Sequence, residues 1–141
     1  MQARKMGEHF IIRLEAGEEV VSTLKNWVEQ QGIKAGFFWG LGALSRAELG
    51  YFDAEVKSYR RIPVEEQVEV LSMIGNISIA EDGNLLLHIH VILGRADGRT
   101  LGGHFFEGFV YPTLEIILLP LPGTLQRRTD PVSGLQALAL E

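Results

Sequence analysis

Residues 85–106 read LLLHIHVILGRADGRTLGGHFF, and the way this run folds decides the architecture of the chain. Leu85 to Leu93 is a nearly continuous apolar strand, Asp97-Gly98 is a hairpin turn signal, and Thr100 to Phe106 reads as the returning arm. A strand that is apolar on both sides belongs in a central sheet position or against another subunit. An antiparallel hairpin at the heart of a sheet is therefore expected.

The same run carries the chemistry. His88 and His90 stand two apart, and because side chains alternate across a strand, both rings share one face, within reach of an ion whose bonds to nitrogen are about 2.0–2.1 Å. His104 follows Gly102-Gly103 on the return arm. A strict two-residue turn at Asp97-Gly98 puts His104 on the other face. One extra residue, in a longer loop or in a bulge at Gly98 or Gly102-Gly103, sets it opposite His90 on the same face.

The residues alone leave two readings open. In one, three rings share a divalent metal and leave a fourth position for water or substrate, the pattern of catalytic rather than closed structural zinc. In the other, the rings are half-buried and hydrogen-bonded within the sheet. Glu107, Glu69 and Asn76 are candidates to orient ligand rings through their second nitrogens, whereas Glu66 reads as solvated surface.

Outward from the hairpin, Gln67 to Ala80 is strand-like and ends at the turn signal Glu81-Asp82-Gly83-Asn84. Tyr111 to Pro120 makes another long strand, stopped by Pro120 and Pro122. Beyond it lie two short apolar pieces, around Leu125 and over Leu135 to Leu140, separated by Thr129-Asp130-Pro131. Toward the N-terminus, His9 to Glu15 alternates as a first strand. Val20, Val21, Leu24, Trp27 and Val28 then fall on one face of a helix over about 18–31, with Glu18 and Glu19 at its positive end and Gly32 to terminate it. Ala35 to Leu44, Ala47 to Asp53 and Lys57 to Arg61 read as short strands of a meander, and Pro63 to Glu66 as a single helical turn. Strands outnumber helices, so the class is α+β: one domain over 1–141, a largely antiparallel sheet, one main helix and short helical turns.

Composition narrows the chemistry further. With 46% hydrophobic and 22% charged residues over 141 positions, the chain can bury a core and is not a disordered one. The absence of cysteine excludes disulfides, thiolate metal sites and thiol nucleophiles, so any metal must be held by His, Asp or Glu. The N-terminal stretch lacks the pattern of a secretory signal, no apolar run is long enough to span a bilayer, and a cytoplasmic location is expected.

Net charge is −5 with a pI near 5.4, against the basic face usual in nucleic-acid binders. The pairs Arg4-Lys5, Arg60-Arg61 and Arg127-Arg128 read as ordinary solvated charge. The glycine-rich Gly36 to Ala43 lacks the spacing of a dinucleotide fingerprint and the lysine of a P-loop, and no serine sits in a nucleophile elbow.

Several segments together resemble the PPC (plants and prokaryotes conserved) domain family: Arg13-Leu14 with Gly17-Glu18, Gly40 to Leu44, Leu49 to Asp53, Glu69 to Ile77, His88-Ile89-His90, Gly102-Gly103-His104 with Glu107-Gly108, and Thr113-Leu114-Glu115. The resemblance implies an α+β fold with a largely antiparallel sheet, a homotrimer, and, in some prokaryotic members, zinc on three histidines at the positions of His88, His90 and His104. It also brings a description of prokaryotic members as predicted DNA-binding proteins. This chain lacks the Arg-Gly-Arg-Pro core of the AT-hook that precedes the domain in plants, so DNA binding by the isolated chain is not expected. Two function classes stand: a zinc-dependent enzyme or small-ligand binder of unnamed reaction, and a non-enzymatic oligomeric or DNA-associated regulatory module.

Overall fold

A computed structural model describes residues 1–141. Strands β1 (Gln2–Met6) and β2 (His9–Glu15) lead into helix α1 (Val20–Gln30). Then follow β3 (Gly36–Asp53), β4 (Ser58–Val64), β5 (Val68–Ile79), β6 (Leu85–Gly94), β7 (Thr100–Pro120), β8 (Gln126–Thr129) and β9 (Gln136–Ala139). All nine strands belong to one sheet, and the architecture is mostly β with a single helix.

The central hairpin forms as expected, and its loop sets the register. Arg95 N–H donates to the Arg99 carbonyl at 2.8 Å, which leaves three residues, Ala96-Asp97-Gly98, outside the ladder rather than two. Gly98 takes φ +84°, the left-handed conformation that glycine adopts without a Cβ penalty and that closes three-residue hairpins. The additional loop residue brings Gly94 opposite Thr100, Leu93 opposite Leu101, and His90 opposite His104.

Three expectations need correction. The stretches 35–44 and 47–53 are not separate strands of a meander but one strand, β3, whose register against β7 shifts between Gly42 and Leu44 and again between Leu44 and Arg46. A break in side-chain alternation marks a bulge here, where the sequence pattern suggested a turn. Likewise 100–106 and 111–120 are one 21-residue strand, β7. The short helical turn at Pro63 to Glu66 does not form: Pro63 stands opposite Glu48 in β4, which pairs with β3 alone. Proline is tolerated on such an edge because its missing N–H leaves no ladder bond unmade.

The bulged β3 lets the pairings run in a circuit. Its first half pairs with β5, β5 with β6, β6 with the start of β7, and β7 returns to the second half of β3. One face of this sheet packs Phe38, Leu44, Leu49, Met73, Ile77, Ile89, Val91, Leu93 and Phe105 into a common core with α1, which contributes Val20, Leu24, Trp27 and Val28. The helix starts at Glu19, whose carboxylate accepts from Ser22 N–H at 2.8 Å. It ends in a Schellman motif, with Gly32 N–H on the Glu29 carbonyl and Ile33 N–H on that of Val28. On the opposite face of the sheet, Phe37, Trp39, Leu41, Ile74 and Ile92 are 40–59% exposed, an apolar surface without a cover in a single chain.

Candidate metal centre

Strand alternation places the histidines. With Ile89 and Val91 committed to the core, His88 and His90 project from the other face of β6, and the His90–His104 pairing adds the third ring on that face. Asn76 and Ile74 of β5 flank them from the far side, opposite His88 and His90 respectively. One nitrogen from each of the three rings lies within 4.8 Å of the other two.

The distances can be compared with what an ion requires. Two nitrogens bonded at about 2.0–2.1 Å to one tetrahedral centre stand roughly 3.3 Å apart. His88 Nε2 and His90 Nε2 are separated by 3.2 Å, so this pair has the separation of two ligands on one ion. The same distance also suits an N–H···N hydrogen bond between neutral rings. His104 Nδ1 is buried and has no hydrogen-bond partner within the chain. Buried ring nitrogens are ordinarily hydrogen-bonded, so this is an atom that a closed network of histidines leaves unexplained.

The rings are held by packing on one side. His104 packs against Tyr59 and Phe106, with ring centroids 4.8 and 4.7 Å away, and those two rings also meet each other at 5.1 Å. Burial, then the neighbouring His88 and His90, push its pKa down to about 4. Burial likewise lowers that of His88, assisted by His90 and by Arg127. These two rings are therefore neutral at pH 7 and offer lone pairs, which is the state a metal needs.

The proposed orienting groups fare differently. Asn76 lies beside the cluster, yet its Oδ1 accepts from Arg127 at 2.8 Å rather than from a ring. No hydrogen bond joins Glu107 or Glu69 to a histidine; Glu69 faces the other end of the hairpin, beside Gly94 and Arg95. Sequence reasoning missed Arg127, which is not solvated but 5% exposed. Alternation along β8 was the available signal: one arginine of the pair Arg127-Arg128 turns inward and the other outward. No helix is long and apolar enough to cross a membrane.

A model of the Plants and Prokaryotes Conserved (PCC) domain family matches residues 1–122. The metal-containing protein AF0104 from Archaeoglobus fulgidus has the same fold at TM-score 0.88, with 35% identity over 96% of this chain and 95% of that one. A plant- and prokaryote-conserved protein from Pyrococcus horikoshii aligns at TM-score 0.87 with 33% identity, covering 97% and 95% of the two chains. The bifunctional protein GlmU of Synechococcus sp. (strain JA-3-3Ab) is 34% identical over 133 residues, 92% of this chain. The chain spans only 20% of that relative's length.

Proposed function

The chain belongs to the Plants and Prokaryotes Conserved domain family, and from that premise we propose that its outer face holds one divalent metal ion, zinc by donor chemistry, on His88, His90 and His104. The observation that carries this reading is the convergence of three imidazole nitrogens within 4.8 Å on a face where His104 Nδ1 has no partner. An all-nitrogen set of three imidazoles favours zinc and similar borderline ions over magnesium or calcium, which prefer oxygen. The naming of a relative of 35% identity as metal-containing supports the same reading.

His88, His90 and His104 would supply three ligands, and a tetrahedral ion held by them would keep a further position for a ligand from outside the chain. An ion so held would supply Lewis acidity to an oxygen ligand. The chain's own part is to keep His88 and His104 neutral by burial and to fix His104 against Tyr59 and Phe106. No reaction is assigned. The function proposed is metal and small-ligand binding.

The test is metal content after dialysis against zinc at neutral pH. About one zinc per chain is expected, and His88→Ala, His90→Ala and His104→Ala should each weaken binding by more than roughly a hundredfold, since even residues that merely orient a ligand contribute about ten- to a hundredfold. His9→Ala, in β2 and away from the cluster, should leave it unchanged. A wild-type protein that takes up no zinc, or ring variants that retain all of it, would overturn the assignment.

A further inference from the structure

Arg127 is the one charged side chain buried in this protein, and no carboxylate answers it. Its guanidinium donates from Nε to Ser78 Oγ at 2.7 Å, from Nη1 to the Gln136 carbonyl at 2.7 Å and from Nη2 to Asn76 Oδ1 at 2.8 Å, and all three acceptors are neutral. It takes part in no ion pair. A guanidinium has five N–H groups, so two remain unspent. A buried charge without a counter-ion is costly to the fold, and its persistence asks what completes it.

The surroundings point to the answer. Arg127 lines a groove of about 360 Å³ together with Tyr59, Leu86, His88, His104 and Leu135, so the cation and two of the three imidazoles look into one space. Two further grooves open on the histidines, past Asn76 and past Gly102-Gly103. No acidic residue lines any of the three. A divalent ion on neutral rings beside an unanswered guanidinium gives three positive charges with nothing in the chain to balance them.

We propose that this groove takes a small carboxylate with an apolar body, its carboxylate lying between the metal centre and the Arg127 guanidinium and its body against Leu86, Leu135 and the Tyr59 ring. The inference rests on the metal reading above and names the ligand class of that site. A planar carboxylate matches the two free N–H groups of a guanidinium, and one face of the groove is apolar. The apolar wall of Leu86 and Leu135 favours a carboxylate carrying an apolar body over inorganic phosphate, which has none.

The probes are benzoate, its neutral isostere benzamide, and inorganic phosphate, titrated calorimetrically into the zinc-loaded chain freed of excess metal. Benzoate should bind at least about tenfold more tightly than benzamide and than phosphate, with weaker benzoate binding to the metal-free chain. Arg127→Gln should reduce benzoate affinity by roughly tenfold or more at unchanged zinc content, and Arg127→Lys should retain part of it. Equal binding of benzoate and benzamide overturns the inference, as does benzoate affinity unaltered in Arg127→Gln, and phosphate binding more tightly than benzoate overturns the carboxylate class.

Arg127→Gln removes three hydrogen bonds and could loosen the β8–β9 hairpin. Its melting curve and zinc content show whether that has happened, and the comparison of probes on the wild-type protein then decides alone. Failure of the two readings is distinguishable: a wild-type chain that binds no zinc removes the metal site itself, whereas one that loads zinc but shows no preference for the carboxylate removes only the anion.

Discussion

Replacing Gly103 by alanine should damage both the fold and the metal centre. A Cβ on Gly103 would stand 2.6 Å from the Gly50 carbonyl oxygen, a backbone atom of β3 that cannot rotate aside. Restoring a normal contact requires the strands to separate by roughly 0.8 Å. Gly50 is also the ladder partner of His104, so the separation acts on the very residue that supplies the third ring. Overpacking of this kind costs about 1–3 kcal/mol. For a chain of this size that corresponds to a melting temperature lower by roughly 3–12 °C at fixed chain concentration.

Ligand sets tolerate displacements of only about 0.5 Å, so zinc affinity should fall by roughly tenfold. Gly94→Ala in the same hairpin provides the control. Its Cβ would meet only the Leu71 side chain, at 3.1–3.2 Å, and Leu71 is 54% exposed and free to turn away. That variant should stay within about 0.5 kcal/mol of the parent. Thermal melts with and without zinc, together with a zinc competition titration, measure both effects. If Gly103→Ala and Gly94→Ala behave alike in stability and in zinc affinity, the reasoning about close approach of β3 and β7 is wrong.

Two other outcomes are expected. In zinc-free protein the His104 pKa lies near 4 when folded, against about 6.5 for a free imidazole, so the unfolded chain takes up the proton first. The resulting stability is fully present above pH 6.5 and is lost as pH falls toward 4. The urea midpoint should accordingly drop between pH 6.5 and 5, above the range where carboxylates titrate, and a flat midpoint there would contradict the burial of this ring. The exposed Phe37, Trp39, Leu41, Ile74 and Ile92 surface is expected to be covered by further copies of the chain, in the homotrimer that the family resemblance implies. Sedimentation at micromolar concentration should give three times 15.7 kDa, and a stable monomer would refute it.

Alternation and turn chemistry made most of the site legible. His88 and His90 follow from strand parity, and the requirement for one additional loop residue before His104 could join them was readable from Asp97-Gly98. Whether that residue was present was not readable, because two- and three-residue hairpins share the same glycine signal. The long strands β3 and β7 were divided in reading because a bulge interrupts periodicity just as a turn does. Strand β1 was missed altogether, since all five of its residues are exposed and leave no apolar pattern to detect. Arg127 escaped for a different reason. Alternation along β8 tells only that one of Arg127 and Arg128 turns inward; what buries it is β8 meeting β5 across 47 positions of sequence, from Ile79 to Gln126, which alternation alone does not place.

The three-residue loop of the central hairpin has an evolutionary corollary. The third histidine is phased by two ladders at once, against His90 of β6 and against Gly50 of β3, so the paired arms of the stretch between His90 and His104 behave like a reading frame with a period of two. Losing or gaining a single residue within an arm should set the two ladders out of step at His104 with all three histidines still in the sequence, whereas a change confined to the loop Ala96-Asp97-Gly98 can be absorbed there. Descendants of this hairpin should therefore vary in loop length more freely than in the length of its arms wherever the triad is kept. An odd step in an arm would mark a lineage in which the centre has been abandoned, even where every ligand residue survives.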